Sequence, residues 1–244
     1  MKTNEQTTAK PCYLTGRKAI GTAAYMGGVP AVLEPFCWAW GQMVQYNAMY
    51  VCQANEYVHL DRAKISFHSW ARNDLVDRFL GDWLFMLDTD HQPEPDILAR
   101  LLHRMNEYDL DVIVGIYQYR YPPHPPVLYG WNSGKLARLG KWNEDAPVQT
   151  IGGAGAGCLL VQRQVFDRIK NELHEQPFDV IGQGGEDLAF FDRLKRLNIK
   201  AYFDCGVECP HLTIKPVTLK DFKRPGKHEL MRIADADDFG LKDG

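Results

Sequence analysis

The feature of this sequence that most constrains the fold is a continuous apolar stretch, residues 83–87 of a strand predicted at 82–87, which is followed by an aspartate. Such a stretch is typical of a strand buried on both faces of a parallel sheet. A second strand of this kind is predicted at residues 111–117, and an amphipathic helix from Pro95 to residue 106 lies between them. This strand–helix–strand order predicts an α/β fold with a mostly parallel central sheet flanked by helices.

The remainder of the chain continues this alternation and then changes character. Residues 119–143 are rich in proline, glycine and aromatic residues, which predicts loops and short antiparallel strands. From Thr213 onward the chain is polar and is expected to be extended. The other predicted strands are residues 17–25, 57–60, 64–67, 151–161 and 199–204, and the other predicted helices are residues 32–49, 71–80, 164–173 and 186–197.

Length and composition limit the class of protein. The 244 residues contain no proline-, glycine- or serine-rich linker, so one domain is expected, and 45% hydrophobic residues suffice for a core. A net charge of −3 without blocks of like charge gives no sign of nucleic-acid binding. We see no signal peptide or membrane span, and the six cysteines lack the spacing of a disulfide framework. We therefore expect a cytoplasmic protein with free thiols.

Two aspartates follow the first buried strand. Asp88 and Asp90 are one residue apart, just beyond its carboxyl end, which is the edge where open α/β sheets bind ligands. Two such carboxylates can converge on Mg²⁺ or Mn²⁺, and the cation can then bridge phosphate oxygens. The alternative is a solvated turn with a helix cap. The strand before the pair and the helix after it favour the metal site.

A glycine-rich segment, residues 182–185, leads into an acidic pair that opens a predicted helix. Glu186 and Asp187 are common helix-start residues, because their charge complements the helix dipole. A carboxylate beside a sugar hydroxyl can instead accept its proton. Adjacent residues on a helix point in different directions. Only one of the two therefore faces a reacting atom easily, and the other can hold the acceptor.

A histidine follows the last predicted strand. Neutral imidazole is a good ligand for Mn²⁺-like ions, so His211 is a candidate ligand, although a lone histidine is more often structural. Lys215 can reach a diphosphate or remain a solvated surface charge. Cys205, Cys209 and His211 are too few for the four ligands of a structural zinc site.

Glycines recur at residues 151–157, which is neither a dinucleotide-binding nor a Walker-type pattern. This segment, with Gly153 in it, can form a floor for a sugar ring or simply a bulged strand.

Taken together, these motifs resemble the GT-A superfamily of glycosyltransferases, and especially its inverting family-2-like enzymes. The resemblance covers roughly residues 17–215, and its strongest parts are residues 82–102 and 184–197. The segment 184–187, Gly-Gly-Glu-Asp, resembles the acceptor motif of galactosyltransferases with this fold. The resemblance implies a single Rossmann-like GT-A domain at 17–215, a polar tail at 1–16 and an extension at 216–244.

The resemblance also implies roles for individual residues. Asp90 and His211 bind the metal, Mn²⁺ or Mg²⁺, and Asp88 contacts the metal or the donor ribose. Asp187 is the catalytic base, and Glu186 positions the acceptor. The implied donor contacts, besides Asp88, are Arg72 at the nucleotide or diphosphate, in an Ala-Arg-Asn segment typical of bacterial and phage relatives, and Ala23 and Tyr25 in the base pocket. A surface role for Arg72 is the alternative.

The implied reaction moves a sugar from a nucleotide-diphosphate sugar to a hydroxyl of a carbohydrate or another acceptor, with inversion. A retaining transferase on the same fold is an alternative. A sugar-phosphate nucleotidylyltransferase is a weaker one, because residues 24–30 contain no lysine or arginine. The third alternative is a non-catalytic carbohydrate- or nucleotide-binding module, whose binding would not change when Asp90 is replaced.

Overall fold

A computed structural model describes residues 16–27, 32–64, 67–132, 135–139, 141–143, 145–181 and 185–213. The described residues up to Leu212 belong to one compact unit. Residues 1–15 of the predicted tail at 1–16, Lys215 and the extension at 216–244 lie outside the described residues.

The described part alternates helices and strands along the first half of the chain, as predicted. Its strands are β1 (Lys18–Tyr25), β2 (Glu56–Arg62), β3 (Trp83–Leu87), β4 (Val112–Ile116), β5 (Leu128–Asn132), β6 (Lys135–Arg138), β7 (Val148–Ile151), β8 (Gly153–Ala154), β9 (Cys158–Gln162) and β10 (Ala201–Glu208). Its α-helices are α1 (Glu34–Tyr50), α2 (His68–Arg78), α3 (Ile97–Glu107), α4 (Arg163–Arg168) and α5 (Glu186–Arg196).

The main sheet has seven strands in the order β2-β1-β3-β9-β4-β10-β7. Strands β1, β2 and β3 are parallel to one another, β4 is parallel to β10, and β3 and β4 are both antiparallel to β9, so these five strands run in one direction. Strand β9 runs antiparallel between β3 and β4, and β7 runs antiparallel at the edge. The predicted α/β fold with a mostly parallel sheet is confirmed. A smaller antiparallel sheet, β6-β5-β8, contains the short strands β5 and β6 expected at 119–143, together with β8.

Strand β3 is apolar throughout because helices cover both faces of the sheet at this strand. Leu84 and Met86 point into the core formed with α2, α4 and α5, whereas Phe85 and Leu87 point into the core formed with α1 and α3. All five residues of β3 are buried. The strand is therefore held by two apolar layers, and Asp88 is placed where the sheet ends.

Three local predictions were wrong or incomplete. Residues 64 and 67 are not in a second short strand, because Phe67 precedes α2 and Lys64 lies in a loop. Pro95 lies in a turn, and α3 begins two residues later. The segment 151–161 was expected to run through its glycines into one apolar strand, which is β9, but the chain before β9 is divided between the end of β7 and the short strand β8. Glycine permits this division, since a Cβ on Gly152 would lie 2.8 Å from the ring of Trp131.

Helix α4 continues as a π-helical turn, Ile169–Leu173, which ends at His174 with a left-handed backbone. No helix in the described ranges has the length and apolar character needed to cross a membrane.

Candidate active site

The carboxyl ends of three parallel strands bring the candidate residues together. Asp88 follows β3, Tyr117 follows β4, and His211 follows β10. The segments after β3 and β10 are joined by backbone hydrogen bonds, from Leu212 N to Asp90 O at 2.6 Å and from Gln92 N to Pro210 O at 2.9 Å. The sheet topology therefore makes neighbours of residues that are more than 100 positions apart in the sequence.

Three side chains at this edge form a group that suits a metal ion: Asp90, His91 and His211. Their candidate ligand atoms all lie within 4.8 Å of one another. Nδ1 of His91 is 3.0 Å from Oδ1 of Asp90, and Nε2 of His211 is 3.4 Å from Oδ2 of Asp90. The two imidazole rings are stacked, with centroids 4.6 Å apart. The structure thus unites Asp90 with His211 and adds His91, while Asp88 is not part of the group.

The protonation of the histidines fits metal binding. Burial lowers the pKa of His91 and also that of His211, which keeps both imidazoles neutral at pH 7. Nδ1 of His211 is 2.9 Å from Gln118 O, so it carries the proton and Nε2 keeps its lone pair. Oδ1 of Asp90 and Nδ1 of His91 are buried and lie 3.0 Å apart, but their relative orientation does not form a hydrogen bond, so neither atom has a hydrogen-bond partner. One carboxylate and two imidazoles fit an Mn²⁺-like ion better than Mg²⁺, which prefers oxygen ligands.

A zinc site on Cys205, Cys209 and His211 is not formed. Sγ of Cys205 donates to Ala146 O at 3.3 Å, and Cys209 is buried beside Cys158. The cysteines in the described ranges are free, as expected, and Cys12 lies outside those ranges.

A buried arginine organises the acidic side of the site. Arg72 is 1% exposed, and its guanidinium lies 3.0 Å from Asp88, 3.5 Å from Asp187 and 3.6 Å from Glu186. It also donates to Ala156 O at 3.1 Å. Burial lowers the pKa of Arg72, but the three carboxylates outweigh this effect and raise it, so the side chain stays charged. The structure places Arg72 behind three carboxylates, so the alternative of a surface role is wrong, and its contact with the donor stays a prediction.

Arg72 is therefore expected to contribute strongly to stability. Arg72→Met leaves Asp88, Glu186 and Asp187 without their shared counter-ion, and breaking a buried ion pair in this way costs about 3–5 kcal/mol. Urea unfolding at pH 7 measures the loss, which should be smaller at pH 5, where Asp187 is protonated. Arg168→Met is the matched control, because Arg168 forms only an exposed pair with Glu172, of a kind worth roughly 1 kcal/mol or less. If Arg72→Met and Arg168→Met lowered the free energy of unfolding equally, the stabilising role of Arg72 would be contradicted.

The acidic pair at the start of α5 has two different environments. Burial opposes ionisation of Glu186, but His68 and Arg72 outweigh it and lower its pKa to about 2. Burial raises the pKa of Asp187 to about 6, helped by the charges of Glu186 and Asp88 and opposed by Arg72. Oδ1 of Asp187 is buried without a hydrogen-bond partner. Glu186 is therefore a fixed anion, whereas Asp187 is able to take up and release a proton near neutral pH.

Two glycines let the strand β9 approach the site closely. A Cβ on Gly157 would lie 2.7 Å from the ring of His91 and 3.1 Å from the Asp88 carboxylate, and a Cβ on Gly155 would lie 1.9 Å from the Tyr117 hydroxyl. The Tyr117 hydroxyl accepts a hydrogen bond from Gly157 N at 3.2 Å. These glycines border the site.

The remaining candidates lie in different places. Gly153 is buried against Leu188 and Phe191 of α5, and Ala23 is buried on the α1 face of the sheet. Tyr25 ends β1 and packs edge-on against Phe36 and Trp40, with ring centroids 5.6 and 5.2 Å away. Lys215 and the glycines at 182–184 lie outside the described residues.

Sequence reasoning did not single out His68, His91 or Arg120. The residue next to Asp90 is a histidine, and His68 is four residues before Arg72, so both face the same side of α2. Those spacings are signals for His91 and His68. The sequence contains no such signal for Arg120, because the loop that carries this residue has no periodic pattern.

Comparison with known proteins agrees with this picture. The family model described as "Glycosyl transferase family 2" matches residues 52–170. This region contains Arg72, Asp88 and Asp90 and ends before Asp187 and His211. The resemblance to family-2 glycosyltransferases of the GT-A fold is confirmed, and the match supports a glycosyltransferase.

Among solved structures, the chain is similar to one described as "Crystal Structure of A197 from STIV". The TM-score is 0.51 at 18% identity, over 81% of this chain and 86% of that chain. This likeness shows the fold. No curated protein matches the sequence significantly.

Proposed function

We propose that this chain, which resembles family-2 glycosyltransferases, transfers a sugar from a nucleotide-diphosphate sugar to an acceptor hydroxyl with the help of a divalent cation. The observation that carries the proposal is the placement of two chemically different groups at one sheet edge. A cluster of one carboxylate and two neutral imidazoles lies on one side, and a carboxylate with a pKa of about 6 lies on the other. Asp88 and Asp187 both contact Arg72, which connects the two sides.

In this proposal Asp90, His91 and His211 hold the cation, for which Mn²⁺ is the best fit. When bound, the cation neutralises charge on the departing diphosphate. Asp88 is 25% exposed and held by Arg72, so its free edge is available to a ribose hydroxyl of the donor. Arg72 acts as a positioning residue, since it fixes Asp88 and Asp187 without facing solvent itself.

Asp187 is the proposed base, and Glu186, held by His68 at 3.5 Å, positions the acceptor. The acceptor oxygen forms its bond to the anomeric carbon while the bond from that carbon to the diphosphate oxygen breaks. The hydroxyl proton passes to Asp187, and the electron pair leaves with the nucleoside diphosphate. Attack from the face opposite the leaving group inverts the configuration, which gives Asp187 a direct role in a single displacement.

The rate should depend on pH through Asp187. The base accepts a proton only when ionised, so kcat/KM should fall about tenfold for each pH unit below about 6 and level off above pH 7. Rates measured from pH 5 to pH 8 check this. Glu186→Gln removes a neighbouring negative charge, so it should move the midpoint to lower pH. A flat profile down to pH 5 would contradict the assignment of Asp187.

Calorimetric titration with UDP, GDP, CDP and dTDP tests the donor site. We expect one of these nucleotides to bind with Mn²⁺ present and to lose most of its affinity in EDTA or in Asp90→Ala. If the affinity for the nucleotide changed neither in EDTA nor in Asp90→Ala, the metal-dependent part of the proposal would be overturned.

A further inference from the structure

A guanidinium lies where the proposed cation would bind. Nη2 of Arg120 contacts Oδ2 of Asp90, and Nε of Arg120 donates to Nε2 of His211 at 2.8 Å. These acceptors belong to two of the three side chains in the Asp90–His91–His211 group. We propose that Arg120 is a built-in occupant of the cation site and that the divalent ion must displace it to bind. This inference rests on the proposed function, because it concerns the same site.

The two occupants exclude each other for a chemical reason. The lone pair on Nε2 of His211 accepts the Arg120 N–H, so it cannot at the same time be donated to a metal. The other ring nitrogen, Nδ1, faces Gln118 O at 2.9 Å and carries the proton. A guanidinium charge beside Asp90 also repels a divalent ion. The complete set of three ligands therefore becomes available only after Arg120 has left.

Departure of Arg120 requires movement of a side chain and not of the whole loop. Its side chain is 45% exposed, as expected of a group that can turn into solvent. The loop that carries it is held at its base by hydrogen bonds from Tyr119 N to Pro125 O and from Val127 N to Tyr117 O, both 2.9 Å. The loop can therefore keep its place while the guanidinium moves.

A released Arg120 would remain next to the cation, on an anchored loop. Guanidinium groups bind phosphate oxygens well, so a nucleoside diphosphate offers Arg120 a new partner to replace Asp90 and His211. The donor should then help the cation to displace Arg120. This predicts that a nucleoside diphosphate increases Mn²⁺ affinity more in the wild type than in a variant without Arg120.

Calorimetric titration with Mn²⁺ alone, without nucleotide, tests the competition. We expect Arg120→Ala to bind Mn²⁺ roughly three- to tenfold more tightly than the wild type, since an exposed ion pair and one hydrogen bond no longer compete. Arg168→Ala, which removes an arginine of nearly the same exposure (44%) from a remote pair, should not change the affinity. An unchanged or weaker affinity in Arg120→Ala would overturn the inference, while Asp90-dependent binding in the wild type would leave the metal site intact. No Mn²⁺ binding to any of these proteins would overturn both.

Modification of the Arg120 guanidinium by phenylglyoxal, located by mass spectrometry of the peptides, reports its release directly, because the reagent needs an accessible side chain and not an opened loop. We expect slow modification of the wild type in EDTA and several-fold faster modification with Mn²⁺. Asp90→Ala should be modified quickly under both conditions, since Arg120 has lost its main partner. Equal rates for the wild type with and without Mn²⁺ would show that the ion does not displace Arg120.

Discussion

Replacing Asp187 by asparagine should lower kcat by about 10²- to 10⁴-fold, the range that a positioned general base contributes. Asparagine has nearly the same shape as aspartate but cannot accept the proton of the acceptor hydroxyl. Since Asp187 is not in the Asp90–His91–His211 group, Mn²⁺ affinity should stay close to that of the wild type. Single-turnover rates with saturating donor and acceptor measure the effect without interference from product release.

The matched control is Glu186→Gln, one residue away on the same helix. Glu186 is held as an anion by His68 and Arg72 and is proposed to position the acceptor. Its replacement should act mainly on KM for the acceptor, with a smaller loss in kcat than Asp187→Asn. If Glu186→Gln lost more in kcat than Asp187→Asn, the two roles would have to be exchanged.

Replacing Asp90 by alanine should weaken Mn²⁺ binding by at least about 100-fold, because changes to residues that merely support a metal ligand already cost about 10- to 100-fold. Asp90 is the only carboxylate in the Asp-His-His group, so its loss also removes the group's negative charge. Donor turnover should disappear with the metal. Titration of Mn²⁺ in the presence of the preferred nucleoside diphosphate measures the loss of affinity, and nucleotide release from the intact donor measures the loss of turnover.

Asp77→Ala is the control for this second prediction. Asp77 is an exposed aspartate that pairs with Lys170 on the surface. Its removal should leave Mn²⁺ affinity and turnover unchanged. Mn²⁺ affinity that survives in Asp90→Ala would place the cation elsewhere, and Asp88 would become the next candidate.

The sequence was sufficient to predict the fold and the placement of Asp88 and Asp90 at a sheet edge, because both depend on local patterns. The apolar stretch of β3 reports burial on two faces, and the aspartates after it report the sheet edge. The acidic start of α5 was also visible as a motif. The predicted boundaries of helices and strands were less accurate where a glycine allows a close contact. At Gly152 this contact is with the ring of Trp131, which is distant in the sequence.

The contacts within the site could not be predicted, because they join distant parts of the chain. Arg72 looked like a surface or donor-binding arginine, but its burial results from the packing of α2 against the start of α5 and the end of β3. His91 lay next to a predicted ligand, yet its alignment with His211 depends on the bridge between the segments after β3 and β10. No periodic pattern in the sequence predicts a contact of this kind.

The central claim, a cation-dependent glycosyltransferase, is tested most directly by release of nucleotide from intact donors. The wild-type protein would be incubated with UDP-, GDP-, CMP- and dTDP-sugars in Mn²⁺, Mg²⁺ or EDTA, beside Asp90→Ala and Asp187→Asn. We predict slow hydrolysis of one donor with Mn²⁺, none in EDTA or Asp90→Ala, and a strongly reduced rate in Asp187→Asn. The account would be contradicted if the wild type neither hydrolysed nor bound any of these donors under any of the conditions.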